Sequence, residues 1–342
     1  MFEGTIRKKL VSLLNKIDCG EISITYPDGT SQTFAAKKAG VKVDITLNDW
    51  RVIANLINKA DVGFAEDYRD GYWSTTNLEE LFIFGMENEK LFDQISSGNF
   101  WFKQLSKLLY LTRRNSLSGS KSNIQKHYDL GNNFYSLWLD KSMTYSAAIF
   151  DSTNLSLQEA QLKKYDRILS RIDKSQGSIL EIGCGWGGFA ERALEKGNYH
   201  IKGLTLSEQQ AVYAKNRLHN KTTEIALEDY RAQKGKYDYI VSIEMFEAVG
   251  KEYWGTYFRT LRDVLKPRGK AVLQIITIDE QVFKDYKNRV DFIQKHIFPG
   301  GVLPAKSSIR NLAQNYGFKI KSEFAFGKDY AKTLEIWLES FD

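Results

Sequence analysis

Cysteine is scarce in this sequence, and there is no long hydrophobic run. The 342 residues include two cysteines, Cys19 and Cys184, which are too few for the disulfide framework of a small secreted domain. Residues 1–19 form a charged amphipathic pattern without the apolar segment of a secretory signal. No run approaches the ~20 apolar residues that cross a bilayer. We therefore expect a cytoplasmic protein.

Aromatic side chains are abundant, and the charge is moderately basic. The chain has 20 Phe, 18 Tyr and 7 Trp, and its 48 Lys and Arg against 42 Asp and Glu give a net charge of +6. Aromatic residues commonly pack in cores, but they also line apolar pockets and channels. The basic excess suits an anionic partner, either a phospholipid surface or a nucleic acid, and it is equally compatible with an ordinary solvated surface.

Composition divides the chain into two predicted domains and a linker. Residues 1–90 combine helical and strand patterns, with a turn signal Pro-Asp-Gly-Thr at 27–30, and predict a small α+β domain. Residues 91–122 predict a helix followed by a linker rich in Lys, Arg and Ser. This basic linker fits either a solvated loop or a patch against lipid headgroups. Residues 123–342 form the second predicted domain.

The second domain alternates strands with helices. A long amphipathic helix is predicted over residues 155–172, with Asn154 as its N-cap. The strands that follow are predicted at 178–182, 199–205, 222–227, 236–243 and 269–277, and the helices at 187–197, 207–218, 253–265, 281–293 and 307–316. This alternation indicates an α/β fold with a doubly wound parallel sheet. We expect its ligand at the carboxyl ends of the strands, near the switch point.

A glycine-rich turn lies near the start of this domain. The sequence at 179–189, Ile-Leu-Glu-Ile-Gly-Cys-Gly-Trp-Gly-Gly-Phe, predicts a strand, a tight turn and a helix start. From Gly183 onward it satisfies the dinucleotide pattern G-x-G-x-x-G, but Thr205 stands where the acid that binds the ribose is expected. Glu181 precedes the glycines and can face an ammonium group. The turn therefore favours a nucleoside cofactor that carries an amino acid.

Several motifs resemble known methyltransferases. Glu228-Asp-Tyr-Arg, the strand and exit at 237–247, and Leu265-Lys-Pro-Arg-Gly-Lys as a tight turn resemble the class I S-adenosylmethionine-dependent methyltransferases. A narrower resemblance covers about residues 60–342 and rests on His127-Tyr-Asp-Leu-Gly-Asn, Met143-Thr-Tyr-Ser-Ala-Ala-Ile-Phe, Met245-Phe-Glu-Ala-Val-Gly, Ile297-Phe-Pro-Gly-Gly-Val-Leu-Pro and Phe326-Gly-Lys-Asp-Tyr. These motifs resemble the cyclopropane-fatty-acyl-phospholipid synthase family.

This resemblance implies methyl transfer from S-adenosylmethionine to the cis double bond of an acyl chain in a membrane phospholipid. It implies a Rossmann-like class I methyltransferase domain preceded by a small lipid-associated domain. It also implies a peripheral protein at the inner membrane surface, with an unsaturated phospholipid as partner and with neither nucleic acid nor a metal ion. A homodimer is compatible with it.

The resemblance further implies which residues bind S-adenosylmethionine. It carries over to Tyr145, Ser146, Glu181, Gly183, Gly185, Thr205, Gln210, Tyr230 and Arg231. Thr205 and Gln210 are expected near the ribose and adenosine, and Tyr230 and Arg231 beside the adenine. Gln210, Tyr230 and Arg231 are alternatively surface or packing residues, whereas the cofactor interpretation is favoured for the glycines.

For the reaction itself, the resemblance implies a bound bicarbonate ion as the base. A backbone amide, a glutamate, a histidine and a tyrosine hold this ion in the family, and the corresponding residues here are Ala147, Glu247, Gln274 and Tyr330. Ala147 replaces a cysteine, which is tolerable where only the backbone N–H is used. Gln274 replaces the histidine and can donate a hydrogen bond, but it cannot titrate near neutral pH. Glu247 is alternatively a structural acid, and Tyr330 a packed aromatic residue.

The departures from the family pattern leave the product open. Ala248 also stands where a histidine often follows the glutamate, and together with Gln274 it indicates a branch that makes methyl- or methylene-branched chains as well as cyclopropanes. His127 resembles a position near the mouth of the site, and it is alternatively a capping or surface residue. Two rival functions are a small-molecule N-methyltransferase and a non-catalytic lipid-binding protein.

Overall fold

The structure, a computed structural model, describes residues 2–96, 130–151, 154–219, 221–287 and 290–341. The chain divides into two compact units. Of the described residues, the first unit contains 2–96 and 290–296, and the second contains those from 130 to 287 and from 297 to 341. Most of the predicted linker, residues 97–122, and His127 lie outside the described residues. No helix in the described part of the chain is long and apolar enough to span a bilayer.

The first unit combines one sheet with helices. Its elements are α1 (Phe2–Leu14), β1 (Cys19–Thr25), β2 (Ser31–Ala35), β3 (Lys38–Leu47), α2 (Arg51–Arg69), β4 (Trp73–Ser74), α3 (Leu78–Glu87) and α4 (Glu89–Ser96). The sheet order is β2-β1-β3-β4, with β1 antiparallel to β2 and parallel to β3. Alternate residues of β1, such as Ile22 and Ile24, are buried in an apolar core with Phe34.

Residues 290–296 belong to this first unit, although the sequence analysis placed them in the second domain. His296 Nε2 contacts Glu66 Oε1 of α2 at 2.9 Å, and Lys295 Nζ donates to the same oxygen. The Lys295 contact joins residues 229 positions apart in the sequence. Such a contact leaves no local pattern, so sequence periodicity could not reveal it.

The second unit is built on a five-stranded parallel sheet. Its strands are β5 (Gln176–Ile182), β6 (Asn198–Thr205), β7 (Thr223–Leu227), β8 (Tyr237–Ile243) and β9 (Leu265–Gln274). Its helices are α5 (Gly131–Ser136), α6 (Leu157–Leu169), α7 (Gly188–Lys196), α8 (Glu208–Arg217), α9 (Trp254–Val264), α10 (Glu280–Tyr286), α11 (Lys306–Asn315) and α12 (Gly327–Glu339). The order β7-β6-β5-β8-β9 confirms the predicted α/β class. The strand order reverses between β5 and β8, which places the expected ligand site at their carboxyl ends.

The central strands are buried along most of their length, as expected for a parallel sheet covered by helices. Ile179 and Leu180 of β5 and Ile240 of β8 are fully buried. Ile179 shares an apolar core with Phe189 of α7 and Ala214 of α8. This packing fixes the start of α7 behind the glycine-rich turn.

Two boundaries near the site differ from the sequence analysis. α6 begins after Ser156, because the side chains of Ser156 and Glu159 form a capping box, and the predicted N-cap Asn154 lies outside the helix. β9 already begins at Leu265, so the predicted turn is an irregularity within the strand, where Arg268 has a φ of 64°.

The predicted helix over 281–293 is also shorter in the structure. α10 ends at Tyr286, and a short π-helix follows at Ile293–Ile297.

Arg217 of α8 holds the loop before α6 against the glycine-rich turn. Its Nη1 donates to the carbonyl oxygens of Ser142 at 2.6 Å and Trp186 at 3.2 Å, and its Nη2 donates to that of Lys141 at 2.7 Å. Trp186 lies in the turn itself. One side chain therefore fixes two loops that carry predicted cofactor residues.

We expect Arg217→Met to lower the free energy of unfolding by about 3 kcal/mol, because three carbonyl groups lose a charged donor. Lys215→Met on the same helix is the matched control, since Lys215 is exposed. Urea unfolding followed by circular dichroism measures both variants. An equal loss in the two variants would show that Arg217 does not hold the loops.

Candidate active site

The glycine-rich turn follows β5 directly and leads into α7. Gly185 has a φ of 52°, in the left-handed region that favours glycine, and a Cβ there would meet no atom within 4 Å. Gly188 at the start of α7 is tightly packed, since a Cβ would lie 2.9 Å from the carbonyl oxygen of Ser142. The turn thus leaves open space beside Gly185, where a cofactor can approach the backbone.

Glu181 is the buried acid of this turn. It is 2% exposed, and its Oε2 has no hydrogen-bond partner among the described residues. Burial raises the pKa of this carboxyl well above its ordinary value. A buried polar atom without a partner is destabilising. The site therefore fits a ligand that brings a donor group, such as the ammonium of S-adenosylmethionine.

Thr205 and Gln210 lie together beside the turn. Both are buried, and the Thr205 hydroxyl donates to Gln210 Oε1 at 2.8 Å. The Ser207 N–H donates to Thr205 Oγ1 at 3.1 Å, which fixes the loop between β6 and α8. In the turn, the Cys184 N–H donates to the carbonyl oxygen of Leu204 at 2.8 Å. The structure thus brings the two residues predicted near the ribose next to the glycines.

Tyr230 and Arg231 lie in a 3₁₀ helix, Tyr230–Ala232, that follows β7. The Tyr230 ring is buried and packs edge-on against Tyr257, with 5.3 Å between ring centroids. Its hydroxyl has no hydrogen-bond partner among the described residues. Arg231 Nη2 donates to Asp229 Oδ2 at 2.6 Å. The buried Tyr230 hydroxyl is therefore a second group that a ligand can satisfy.

An aromatic cluster adjoins the turn. It consists of Tyr135, Trp138, Tyr145, Trp186 and Trp337. The Tyr145 ring centroid lies 5.2 Å from that of Trp138 and 5.4 Å from that of Trp337. The ring centroids of Tyr135 and Trp186 are 5.1 Å apart. The cluster joins the predicted cofactor residue Tyr145 to Trp186 of the turn, and its aromatic faces can attract a cation.

Ser146 is bonded to a buried lysine that the sequence analysis missed. Lys164 of α6 is fully buried, and its Nζ donates to Ser146 Oγ at 2.6 Å. Burial lowers the pKa of Lys164, and the negative charge of Glu244 opposes this effect. The sequence did contain a sign of this burial, because Lys164 lies on the same helix face as the buried residues Ala160 and Ile168.

Glu247 lies just beyond β8, in surroundings that favour its neutral acid. Its Oε1 accepts from the backbone N–H of Ile276, and its buried Oε2 has no partner among the described residues. Burial, together with the nearby charge of Glu244, raises the pKa of Glu247 to about 8. Its backbone carbonyl accepts from the N–H of Val302 at 2.9 Å. The predicted Phe-Pro-Gly-Gly motif therefore lies against this glutamate.

Glu244 contacts the two residues predicted to donate hydrogen bonds to an anion, although the sequence analysis did not single it out. Its Oε1 accepts from the Ala147 N–H at 2.9 Å and from Gln274 Nε2 at 2.7 Å. Gln274 Nε2 also lies 3.2 Å from the carbonyl oxygen of Ala147. The available signal was a pair of glutamates three positions apart, directly after the strand at the switch point.

Tyr330 lies near the same carboxyl groups. It is half-buried on α12, and burial with the charges of Glu244 and Glu247 raises its pKa. A bicarbonate ion does not fit this arrangement. Ala147 and Gln274 already donate to Glu244, and an added anion would lie beside the negative charge of that carboxylate.

Comparison with known proteins gives matches along most of the chain. A model described as mycolic acid cyclopropane synthetase matches residues 115–342. The tuberculostearic acid methyltransferase of Mycobacterium tuberculosis is 34% identical over 338 residues, which covers 94% of this chain and 77% of that protein. The cyclopropane-fatty-acyl-phospholipid synthase of Escherichia coli is 32% identical over 323 residues, covering 91% of this chain and 80% of that protein.

Solved structures match a large part of this chain. A cyclopropane synthase from Mycobacterium tuberculosis has a TM-score of 0.60 and 30% identity, and the match covers 64% of this chain and 82% of that one. A mycolic acid cyclopropane synthase complexed with SAH and CTAB has a TM-score of 0.60, 32% identity and the same coverage. A coclaurine N-methyltransferase, at 19% identity and a TM-score of 0.52, shows the shared fold alone.

We expect Glu247→Gln to flatten the dependence of stability on pH. The folded protein holds the Glu247 proton with a pKa of about 8, above its ordinary value of 4.5. Stability therefore falls as the pH rises from the pKa of Glu247 in the unfolded protein to its pKa in the folded protein. The loss is complete above the pKa of the folded protein. Thermal unfolding gives the Tm of the variant and of the wild type at each pH. The difference, variant minus wild type, should increase by about 3 °C or more from acidic to alkaline buffer.

Glu252→Gln is the control for this measurement, because Glu252 is exposed and lies five positions beyond Glu247. Its Tm should follow that of the wild type at every pH. Parallel curves for wild type and Glu247→Gln would contradict a raised pKa at Glu247.

Proposed function

Because the chain belongs to the mycolic acid cyclopropane synthetase family, we propose that it methylates the cis double bond of an unsaturated acyl chain in a membrane phospholipid. S-adenosylmethionine supplies the methyl group as an electrophile. The product is a cyclopropane or a methyl- or methylene-branched chain. The observation that carries the proposal is the aromatic cluster beside the glycine-rich turn, because this reaction generates a cation on a hydrocarbon chain.

The second unit fits S-adenosylmethionine. Glu181 brings a buried carboxyl oxygen without a partner in the described chain, which suits an ammonium group. Gly185 leaves the backbone of the turn open to close approach. The buried Thr205 and Gln210, with Tyr230 after the next strand, would hold the nucleoside. Together these groups bind and orient the methyl donor.

The aromatic cluster suits an alkene substrate. An alkene is a weak nucleophile, so the reacting groups must be held together and water kept away. The rings of Trp138, Tyr145 and Trp337 pack closely and contribute few polar atoms. Their faces can stabilise the cation that methylation leaves on the acyl chain.

Deprotonation of this cation then decides the product. Breaking a C–H bond of the added methyl group supplies the electron pair that closes a cyclopropane. Breaking one at a neighbouring chain carbon instead leaves a methyl-branched alkene. The base must be a polar group within an otherwise apolar site. Glu181 is assigned to the cofactor, so Glu244 and Glu247 beyond β8 are the candidate carboxyl groups for this step.

We also propose that the protein works at the inner membrane surface and that residues 1–90 form its lipid-associated domain. The net charge of +6 supports attraction to anionic lipid. Phe82 and Met86 on α3 are 66% and 69% exposed, and such apolar side chains suit contact with a lipid surface. Binding to vesicles with and without anionic lipid, in high and low salt, tests this part of the proposal.

The enzymatic proposal predicts that incubation with labelled S-adenosylmethionine and unsaturated phospholipid vesicles adds one CH₂ to the released fatty acids. Mass spectrometry detects the added mass, and fragmentation separates a ring from a methylene or methyl branch. Vesicles of saturated phospholipid are the control, because they offer no double bond. Absence of the added mass with every unsaturated lipid tested would contradict the proposal.

We further expect Glu247→Ala to reduce turnover about 10²-fold or more, the usual range for loss of an acid–base group. Binding of S-adenosylmethionine should persist, because Glu247 lies beyond β8 and most of the predicted cofactor residues lie around β5, β6 and β7. Isothermal calorimetry measures the binding, and the fatty-acid assay measures turnover. Glu252→Ala should behave like wild type, and unchanged turnover in Glu247→Ala would remove this residue from the mechanism.

A further inference from the structure

Two hydrogen-bond donors in the active site converge on one carboxylate oxygen. The Ala147 N–H and Gln274 Nε2 both donate to Glu244 Oε1, at 2.9 and 2.7 Å. These are two of the donors that the family resemblance assigns to a bicarbonate ion. In this chain a carboxylate of the protein receives both bonds, and the donor atoms come from segments 97 and 30 positions away from Glu244.

The backbone at Glu244 takes a conformation that glycine favours. Its φ is 47°, in the left-handed region, which costs a residue with a side chain about 1–3 kcal/mol. The Glu244 N–H also donates to the carbonyl oxygen of Gln274 at 2.9 Å. Backbone and side chain of Glu244 are thus both bonded to Gln274. Strain of this kind is typical of sites where the side chain has a function.

Ionisable side chains surround Glu244. Glu247 lies close enough for the charge of Glu244 to affect it, and Tyr330 lies near the same carboxyl groups. Burial raises the pKa of Glu244, whereas the charge of Lys164 and the bonds from Ala147 and Gln274 oppose this rise. When Glu244 is ionised, a bicarbonate ion would add a second negative charge to this enclosure. The two carboxyl groups then have separate roles, as in other acid–base pairs, because the pKa of Glu247 is raised to about 8.

From these contacts we propose that Glu244 is the resident base of the reaction and replaces bicarbonate with its own carboxylate. The inference rests on the proposed methylation of an alkene. The bonds from Ala147 and Gln274 both fall on Glu244 Oε1, so we assign Oε2 as the oxygen that takes the proton.

The step balances without a further reactant. The alkene electron pair forms the bond to the transferred methyl carbon while the bond between that carbon and the cofactor sulfur breaks. The sulfur keeps the bonding electrons and leaves as S-adenosylhomocysteine, and a cation remains on the adjacent chain carbon. A C–H bond of the added methyl group then breaks and its electron pair closes the ring, or a C–H bond of a chain carbon next to the cation breaks and its electron pair forms a double bond. In either case the proton moves to Glu244 Oε2. The neutral acid returns this proton to solvent when the product leaves.

Two substitutions separate a resident carboxylate from a bound ion. Glu244→Gln keeps the shape and an acceptor oxygen, but an amide is not a base. Glu244→Gly removes the side chain, suits the positive φ, and frees the Ala147 N–H and Gln274 for an external anion. Glu252→Gln is the matched control. Calorimetric binding of S-adenosylmethionine shows that each variant retains its cofactor site.

We expect wild type to turn over equally fast in CO₂-free buffer and in bicarbonate. Glu244→Gln should lose about 10²–10⁴-fold in turnover, with no recovery in bicarbonate. Glu244→Gly should be equally slow without bicarbonate and regain at least about tenfold with it, since the freed donors can hold the ion. A wild type that slows in CO₂-free buffer, or a fully active Glu244→Gln, would overturn the inference.

A second readout is independent of turnover. Bicarbonate, compared with chloride at equal ionic strength, should raise the Tm of Glu244→Gly and leave that of wild type and Glu244→Gln unchanged, because a ligand stabilises only the protein that binds it. Equal stabilisation of wild type and Glu244→Gly would overturn the inference. If no lipid is methylated, that result contradicts the proposed function alone. The Tm comparison then still shows whether bicarbonate binds wild-type protein, as a bound bicarbonate base would require.

Discussion

The cost of burying carboxyl groups governs the active site of this protein. Glu181, Glu244 and Glu247 lie at the ends of two neighbouring parallel strands, where burial raises the pKa of each. Glu244 is compensated by two hydrogen-bond donors and by the charge of Lys164. Glu247 avoids the cost of burying a negative charge because its carboxyl group keeps its proton. Glu181 keeps one oxygen without a partner in the described chain. These differences separate the proposed cofactor site from the proposed catalytic site.

A tethered base suits the chemistry of a cation in an apolar enclosure. The cation is short of electrons and reacts with any water that enters, so the base must be in place when it forms. A carboxylate of the chain is already oriented, whereas a small ion must be captured for each turnover and loses its freedom on binding. The strained backbone at Glu244 is the structural cost of this arrangement.

The departures from the family pattern become coherent when they are considered together. Ala147 contributes its backbone N–H, and the Glu244 carboxylate accepts that bond. Gln274 cannot titrate near neutral pH. Its side-chain amide can still donate a hydrogen bond to the Glu244 carboxylate, and the proposed mechanism requires nothing more of it. The glycine-rich turn and the sheet remain those of a class I methyltransferase. In the proposed mechanism, the fold therefore fixes the methyl donor, and a few side chains beyond β8 set the fate of the cation.

The strand–helix alternation, the glycine-rich turn and the class of cofactor can be predicted from the amino-acid sequence. Each of these depends on residues close together in the chain, whose periodicity and turn chemistry are local. Three features become visible in the folded chain alone: Lys164 is buried beside Ser146, residues 290–296 join the first unit, and Glu244 accepts hydrogen bonds from Ala147 and Gln274. These contacts join distant segments, and the energy of a buried charge depends on what surrounds it in space.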